Sequence, residues 1–392
     1  MIEFSNTMSR QRDNSPARRQ LFGPANVILV CAVGLALLGL TVLFSASASF
    51  RTDPYFFIKR QVIWVVLAIA AGWVVSRMDL EHARRYAWII WGVTIVLLIL
   101  VLIPGIGVKV NGSRRWIDFG MMRLQVSDVA KFAMVFALAH YCNLNQRHMA
   151  TFARGFLIPA AGVGATALLI IFEPDYGTAA LTGIVGVTML YLGGVRLKWF
   201  VPAVASALLL FAVAIAHNPI RLQRITSFLD VEANRGDGAY QLWQAMLAFG
   251  AGGIEGVGLG NGRQQNAFLP EAHTDFIFAI VGEELGLGFT LGVVVLFTII
   301  LGAGLVQLRR APNLFGYLLV AGMLLLMMLQ AIINLGVVTG VLPTKGMSLP
   351  FISYGGSNLV LMGVIVGVFF NTQRAWGRAN LGPDRRLTEV AA

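Results

Sequence analysis

A chain of 392 residues that is 57% hydrophobic and only 12% charged cannot hide its apolar surface in a soluble fold, where about a quarter of residues are charged. Lipid must act as its solvent. The formal net charge of +11 is spread along the chain and not gathered in one patch, which argues against nucleic-acid binding and fits the orientation signal of a membrane protein.

Residues 1–20 form a polar, Arg-rich tail. The apolar run after it is long enough to span a bilayer, so it reads as a first helix and not as a cleavable signal peptide. Apolar runs predict spans near 25–47, 61–77, 86–104, 129–145, 155–172, 177–194, 198–216, 277–307, 314–342 and 354–373. The fourth is the shortest in apolar content and carries Lys131 and His140. Cys31 and Cys142 both lie in such runs, so core packing is expected of them and no disulfide framework. Ten spans put both termini on one side. That side holds 17 Lys and Arg against 12 opposite, which makes it cytoplasmic by the positive-inside rule. The expected fold is all-α and polytopic, with a cytoplasmic tail at 1–20, one transmembrane domain at 21–376 and a second cytoplasmic tail at 377–392. Two extracytoplasmic loops, 105–128 and 217–276, are long and rich in aromatic residues. They are expected to fold over the outer mouth of the bundle as amphipathic or re-entrant pieces.

The polar motifs fall between the spans. NGSRRWIDFGMMRLQVSDVAKFAM at 111–134 places Asp128 and Lys131 three residues apart, on one helix face. They can form an ion pair that carries charge into the membrane, or wall a cavity for an anionic head group. Arg114 and Arg115 beside Trp116 suit either an interfacial anchor or a phosphate site. EPDYGTAA at 173–180 reads as a tight polar turn, with Glu173 and Asp175 ending one helix and Gly177 opening the next. The glycine-rich run at 250–262 matches neither the dinucleotide fingerprint nor a Walker A loop. The chain contains no HExxH, no GxSxG and no Cys/His metal spacing.

FLPEAHTDFIFAIVGEE at 268–284 is the richest segment. Thr274 is placed to cap the next helix, with Asp275 in its first turn, where the helix dipole favours a carboxylate. The same carboxylate, at the mouth of a cavity with Glu271 and His273 close by, can act as a general base. Glu283 and Glu284 are adjacent charges in an apolar helix and must face protein or water. LPTKGMSLPFISYGGSN at 342–358 cannot be continuous helix, and irregular backbone at membrane depth survives only against protein or water. Its one cation, Lys345, is either a plain loop lysine or a phosphate contact.

Five segments together resemble the SEDS family, to which FtsW, RodA and a sporulation relative belong. They are NGSRRWI at 111–117, EPDYGTA at 173–179, RLQRITSFLD at 221–230, FLPEAHTDFIFA at 268–279 and LPTKGMSLPFISYGG at 342–356. The likeness runs from about the first to the tenth span, and the LPTKG wording lies nearer the FtsW branch than the RodA branch. The resemblance implies a peptidoglycan glycosyltransferase of the bacterial inner membrane that polymerises lipid II into glycan strands at the division septum. It implies a class B penicillin-binding protein transpeptidase and other divisome membrane proteins as partners. It also implies that Asp275 is the catalytic aspartate. Substrate contacts are expected from Arg115, Trp116, Asp128, Lys131, Asp175, Gln241, Gln244, Glu271, His273 and Lys345. A departing pyrophosphate needs positive charge, from Arg115, Lys131, Lys345 or a divalent cation such as Mg or Mn. No metal ligands are assigned. Where the family has Gln-Pro-Ser-Glu this chain has Gln125, Val126, Ser127 and Asp128, and SYGGSS ends here in Asn358. The family's Gly-Tyr-Gln-x-x-Gln-Ser becomes Ala239 through Ala245, keeping Gln241 and Gln244. A lipid II flippase, a non-enzymatic scaffold and a RodA-like elongation polymerase are the competing readings.

Overall fold

The computed structural model describes residues 23–47, 55–110, 113–118, 120, 123–217, 223, 226–264, 269–270 and 272–379. Among these, ten long helices coincide with the ten predicted spans, and an eleventh lies in the second long loop. They are α1 (Pro24–Ser47), α2 (Phe56–Arg77), α3 (Leu80–Leu102), α4 (Val126–Leu144), α5 (Phe152–Phe172), α6 (Tyr176–Leu192), α7 (Leu197–Ala216), α8 (Tyr240–Gly252), α9 (Ile277–Leu308), α10 (Leu314–Val338) and α11 (Gly356–Ala379). Seven are long and apolar enough to cross a bilayer by length and composition alone. Helix α11 runs three residues past the expected domain end at 376. The tail at 1–20 and residues 380–392 lie outside the described residues.

Polar contacts sort the loops into two ends. At one, Ala25 N donates to Gln373 Oε1 at 2.8 Å, Asn313 Nδ2 to Glu81 Oε1 at 2.9 Å, and Asn371 Nδ2 to Val75 O at 2.8 Å. The starts of α1 and α10 and the ends of α2 and α11 therefore share that end, as an even number of spans requires. The segments around 107–125, 173–175, 253–276 and 342–355 gather at the other.

The first long loop, expected only as amphipathic or re-entrant pieces, is built of strands. It forms a three-stranded antiparallel sheet, β1 (Gly107–Val110), β2 (Ser113–Asp118) and β3 (Arg123–Gln125), in the order β1-β2-β3. The reason is local. Val108, Val110, Trp116 and Ile117 are strong strand formers, and Asn-Gly at 111–112 is a hairpin signal.

The second loop splints a broken helix. Leu242, Ala245, Ala248 and Gly252 bury one face of α8, which packs on α9. Gly286 interrupts α9 with φ 76° and ψ −170°, a conformation open to glycine. Residues 253–258 lie across the gap: Val257 N donates to Glu283 O at 2.9 Å, Gly258 N to Glu284 O at 3.0 Å, and Leu287 N to Gly253 O at 3.0 Å. The helix break thus regains three backbone partners from this segment, as apolar surroundings favour. The two adjacent carboxylates hold the rest of the loop. Glu283 Oε1 accepts from Arg263 N at 2.8 Å, and Glu284 Oε1 accepts from Ser45 Oγ at 2.6 Å and Gly260 N at 3.0 Å. The glycine-rich run is a fitted structural part, and Glu283 and Glu284 are its anchors.

Helix α10 is central, flanked by α4, α6, α9 and α11. Helix α2 lies largely exposed and packs chiefly on α11. Gly72, Gly363 and Gly367 bring these two backbones together, and a Cβ at Gly363 would overlap the carbonyl of Ala68. Close approach through small residues is how helices associate without a hydrophobic drive. Gly363→Leu should therefore lower the melting midpoint of the purified protein, by overpacking worth about 1–3 kcal/mol or more. Gly92→Leu should leave it unchanged, because Gly92 has open space around it. Equal melts for the two variants would contradict this packing.

Candidate active site

Asp175 organises the polar end. It caps α6, with Oδ1 accepting from Thr178 N at 3.2 Å and Oδ2 from Thr178 Oγ1 at 2.9 Å. The same carboxylate meets Lys345 Nζ at 2.9 Å, Arg115 Nη1 at 3.4 Å and Gln125 Nε2 at 3.4 Å. Arg115 reaches out of β2 and clasps the turn, donating from Nε to Glu173 O at 3.1 Å and from Nη2 to Pro174 O at 2.8 Å. The stem of Lys345 crosses the face of Gly177, where any side chain would overlap its methylenes. Burial alone would raise the Asp175 pKa, but Lys345 and Arg115 outweigh it and hold the carboxyl below its ordinary value.

A second pair lies deeper. Asp128 and Lys131, 4% and 3% exposed, meet at 2.9 Å between Oδ1 and Nζ. Asp128 Oδ2 accepts from Ser357 Oγ at 2.8 Å, and Lys131 Nζ donates to Gln330 Oε1 at 3.5 Å. Gln125 joins the two clusters, since its backbone N donates to Ser357 Oγ at 3.4 Å.

Asp275 sits in the turn before α9. The helix starts at Ile277, and Phe276 fills the N-cap position without a side-chain capping bond. The expected Thr274 cap, with Asp275 in the first turn, is not what forms, because the chain is still in turn conformation there. The carboxylate of Asp275 instead lies against Gly346, so close that a Cβ there would overlap Oδ2. Two consecutive residues, Lys345 and Gly346, thereby touch two of the carboxylates singled out by the sequence, Asp175 and Asp275.

The remaining expected contacts separate. His273 packs at a tilt in an aromatic group with Phe57 and Tyr354, at ring separations of 4.5 and 5.9 Å. Trp116 is a strand residue between Val108 and Gln125. Gln241 and Gln244 lie on α8, and no hydrogen bond among the described residues ties them to the cluster. Glu271 lies outside the described residues. Among those residues, no group of three His, Cys, Asp or Glu is placed to hold a metal. Asp128 and Asp175 already face cations, so this donor set does not by itself suit a divalent ion.

Sequence reasoning missed the connecting residues Gln125, Ser357, Gln330 and Asn334. Two amides one turn apart in the apolar run of α10 were the available signal. It also took Glu173 for a simple turn residue. Glu173 is fully buried, and among the described residues neither carboxyl oxygen has a hydrogen-bond partner. Burial first, and the charge of Asp175 second, push its pKa from an ordinary 4.5 to about 9.

Comparison with known proteins places the chain in one family. The sequence model of the FtsW, RodA and SpoVE proteins, described as cell cycle proteins, matches residues 25–376. This chain belongs to that family. The probable peptidoglycan glycosyltransferase FtsW of Coxiella burnetii is 42% identical over 360 residues, covering 88% of the chain and 96% of that protein. Stage V sporulation protein E of Bacillus subtilis is 38% identical over 357 residues, 90% of the chain and 97% of that protein. Among solved structures, a chain described under the structural coordination of polymerization and crosslinking by a peptidoglycan synthase complex is similar at a TM-score of 0.74. It is 24% identical, over 89% of this chain and 97% of that one. The rod shape determining protein RodA of Thermus thermophilus is similar at a TM-score of 0.66, with 23% identity over 88% of this chain and 95% of that one. At these identities the structures bear on the fold alone.

Two outcomes test the buried charges of this end. Lys131→Ala leaves Asp128 buried without its cation, a loss of about 3–5 kcal/mol. The double change of Asp128 and Lys131 to alanine should restore part of that stability, and strictly additive melts would show that the two do not interact. Glu173 sets a pH dependence. The folded state keeps its proton up to about pH 9 while the unfolded state releases it above 4.5, so the Glu173 contribution to stability falls as pH rises through that window. Glu173→Gln removes the titration. Its melting midpoint should gain on the wild type between pH 5 and pH 8, on the order of those limits, and a constant difference would overturn the assignment.

Proposed function

We propose that this chain is a peptidoglycan glycosyltransferase that polymerises lipid II into glycan strands, with Asp275 as its general base. The observation that carries this reading is the contact of Asp275 with Gly346, which sets a carboxylate beside the loop whose Lys345 reaches the Arg115–Asp175 cluster. A sugar hydroxyl is a poor nucleophile, and a positioned base accelerates its attack by about 10²–10⁴. In the reaction, the acceptor 4-oxygen bonds to the donor anomeric carbon while the bond from that carbon to the undecaprenyl pyrophosphate breaks. The hydroxyl proton passes to Asp275, and the electron pair leaves on the pyrophosphate. One such displacement inverts the anomeric centre. Arg115 and Lys345 supply the positive charge, since phosphate oxygens can compete with Asp175 for the same N–H donors.

The family relationship, the naming of relatives as FtsW and the positive-inside count support an inner-membrane protein of the division septum. In that reading both termini are cytoplasmic and residues 217–276 are outside. A class B penicillin-binding protein transpeptidase is the partner this reading calls for, with other divisome membrane proteins. Against a flippase stands the position of the polar groups. Transporters place them near the bilayer midplane between broken helices, whereas here Asp175, Arg115, Lys345 and Asp275 lie at one end of the bundle.

Asp275→Asn keeps size and removes basicity. The purified variant should insert normally and lose lipid II polymerisation by at least ~10²-fold. Polymerisation at near the wild-type rate would rule out Asp275 as the base.

A further inference from the structure

Helix α10 is apolar except for two amides one turn apart, Gln330 and Asn334, which are 2% and 1% exposed. Both grip the irregular segment that follows α10. Gln330 Nε2 donates to Ser348 O at 2.8 Å, and Asn334 Nδ2 donates to Met347 O at 2.5 Å. Each also reaches a second element. Gln330 Oε1 accepts from Lys131 Nζ at 3.5 Å, and Asn334 Nδ2 donates to the backbone carbonyl of Asp275 at 2.8 Å.

We propose that Gln330 and Asn334 are positioning residues that hold the Asp275 turn and the Lys345 loop at one fixed separation, so that base and cation engage the same substrate. The inference rests on the reading of Asp275 as base. Its logic is that of two non-helical segments whose carbonyls need donors in a buried setting. Only an amide nitrogen offers two N–H groups from one atom on a short side chain. By accepting from the same Nδ2, the carbonyls of Asp275 and Met347 are drawn side by side. Gly346, next to Met347, has no side chain to keep the Asp275 carboxylate away. Lys345 then leaves the clamped segment and crosses Gly177 to Asp175. Gln330 ties the far end of the same segment to the Asp128–Lys131 pair. Side-chain identity at 334 therefore governs catalytic geometry without touching substrate. Substituting Asp would set an acceptor against two acceptors, and substituting Ala would leave both carbonyls without their shared donor.

The test uses the full-length protein in lipid nanodiscs, with lipid II polymerisation rates across substrate concentrations and hydrogen exchange of the segments 272–276 and 345–349. Asn334→Ala and the isosteric Asn334→Asp should lower kcat about 10–100-fold, the scale of an ångström of misplacement, with KM nearly unchanged. Exchange should rise in both segments together. Gln330→Ala should raise exchange only in 345–349. In an Asp275→Glu background, where the base is already displaced, Asn334→Ala should cost clearly less than it does in the wild type. Near-wild-type kcat in Asn334→Asp, unchanged exchange, or an equal loss in both backgrounds would each overturn the proposal. Asn334→Asp matches asparagine in volume and keeps the test open if the alanine variant does not fold. A near-wild-type Asp275→Asn would overturn the base reading and the catalytic half of this inference. The joint exchange response still decides whether the clamp exists.

Discussion

A polar group left without a partner among these helices is costly, and most of the architecture follows from that constraint. Water is not there to satisfy a free carbonyl or a stray charge. Asp128 is therefore paired with Lys131 and Ser357, and Asp175 with Lys345, Arg115, Gln125 and Thr178. The broken α9 is braced by residues 253–258, which supply three backbone bonds across the break. The same demand draws four separate segments into one polar end. The sheet at 107–125 pairs its own backbone, and contacts such as Arg115 to Glu173 O, Lys345 to Asp175 and Tyr354 N to His273 O join the four.

The electrostatics of that end are close to balanced, which suits a site that must receive a highly charged molecule and let one go. In the protein alone, Arg115 and Lys345 spend their charge on Asp175. A bound pyrophosphate changes the competition for those donors and does not have to assemble them. Glu173, neutral beside them, adds no second negative charge to the contest at ordinary pH.

The spans were legible because each is a long apolar run, and the Asp128–Lys131 pair because its spacing is helical. Asp175, Lys345 and Asp275 were legible as charged residues in otherwise apolar surroundings. What could not be read was which groups meet, since the joining contacts go to backbone. Glu283 and Glu284 plainly needed partners, but those partners are amides of a glycine-rich loop and carry no side-chain signature. Asn334 was passed over for the same reason, because its targets are two carbonyls. The sheet at 107–125 was not read as strands, because the loop was expected only to fold over the bundle as amphipathic or re-entrant pieces, although Val108, Val110 and Trp116 argue for strands. Thr274 looked like a cap by residue type, and the turn simply continues two residues further.

The pairing of α2 with α11 has a consequence for how the protein is made. Helix α2 is among the first to emerge from the ribosome, and its chief neighbour is the last. At ordinary elongation speeds the interval is on the order of tens of seconds. During that time the groove formed by Gly72 and its neighbours faces lipid or a biogenesis factor. The bundle is sealed only when Gly363 and Gly367 arrive. Truncation within the final helix would thus strand a segment synthesised near the beginning.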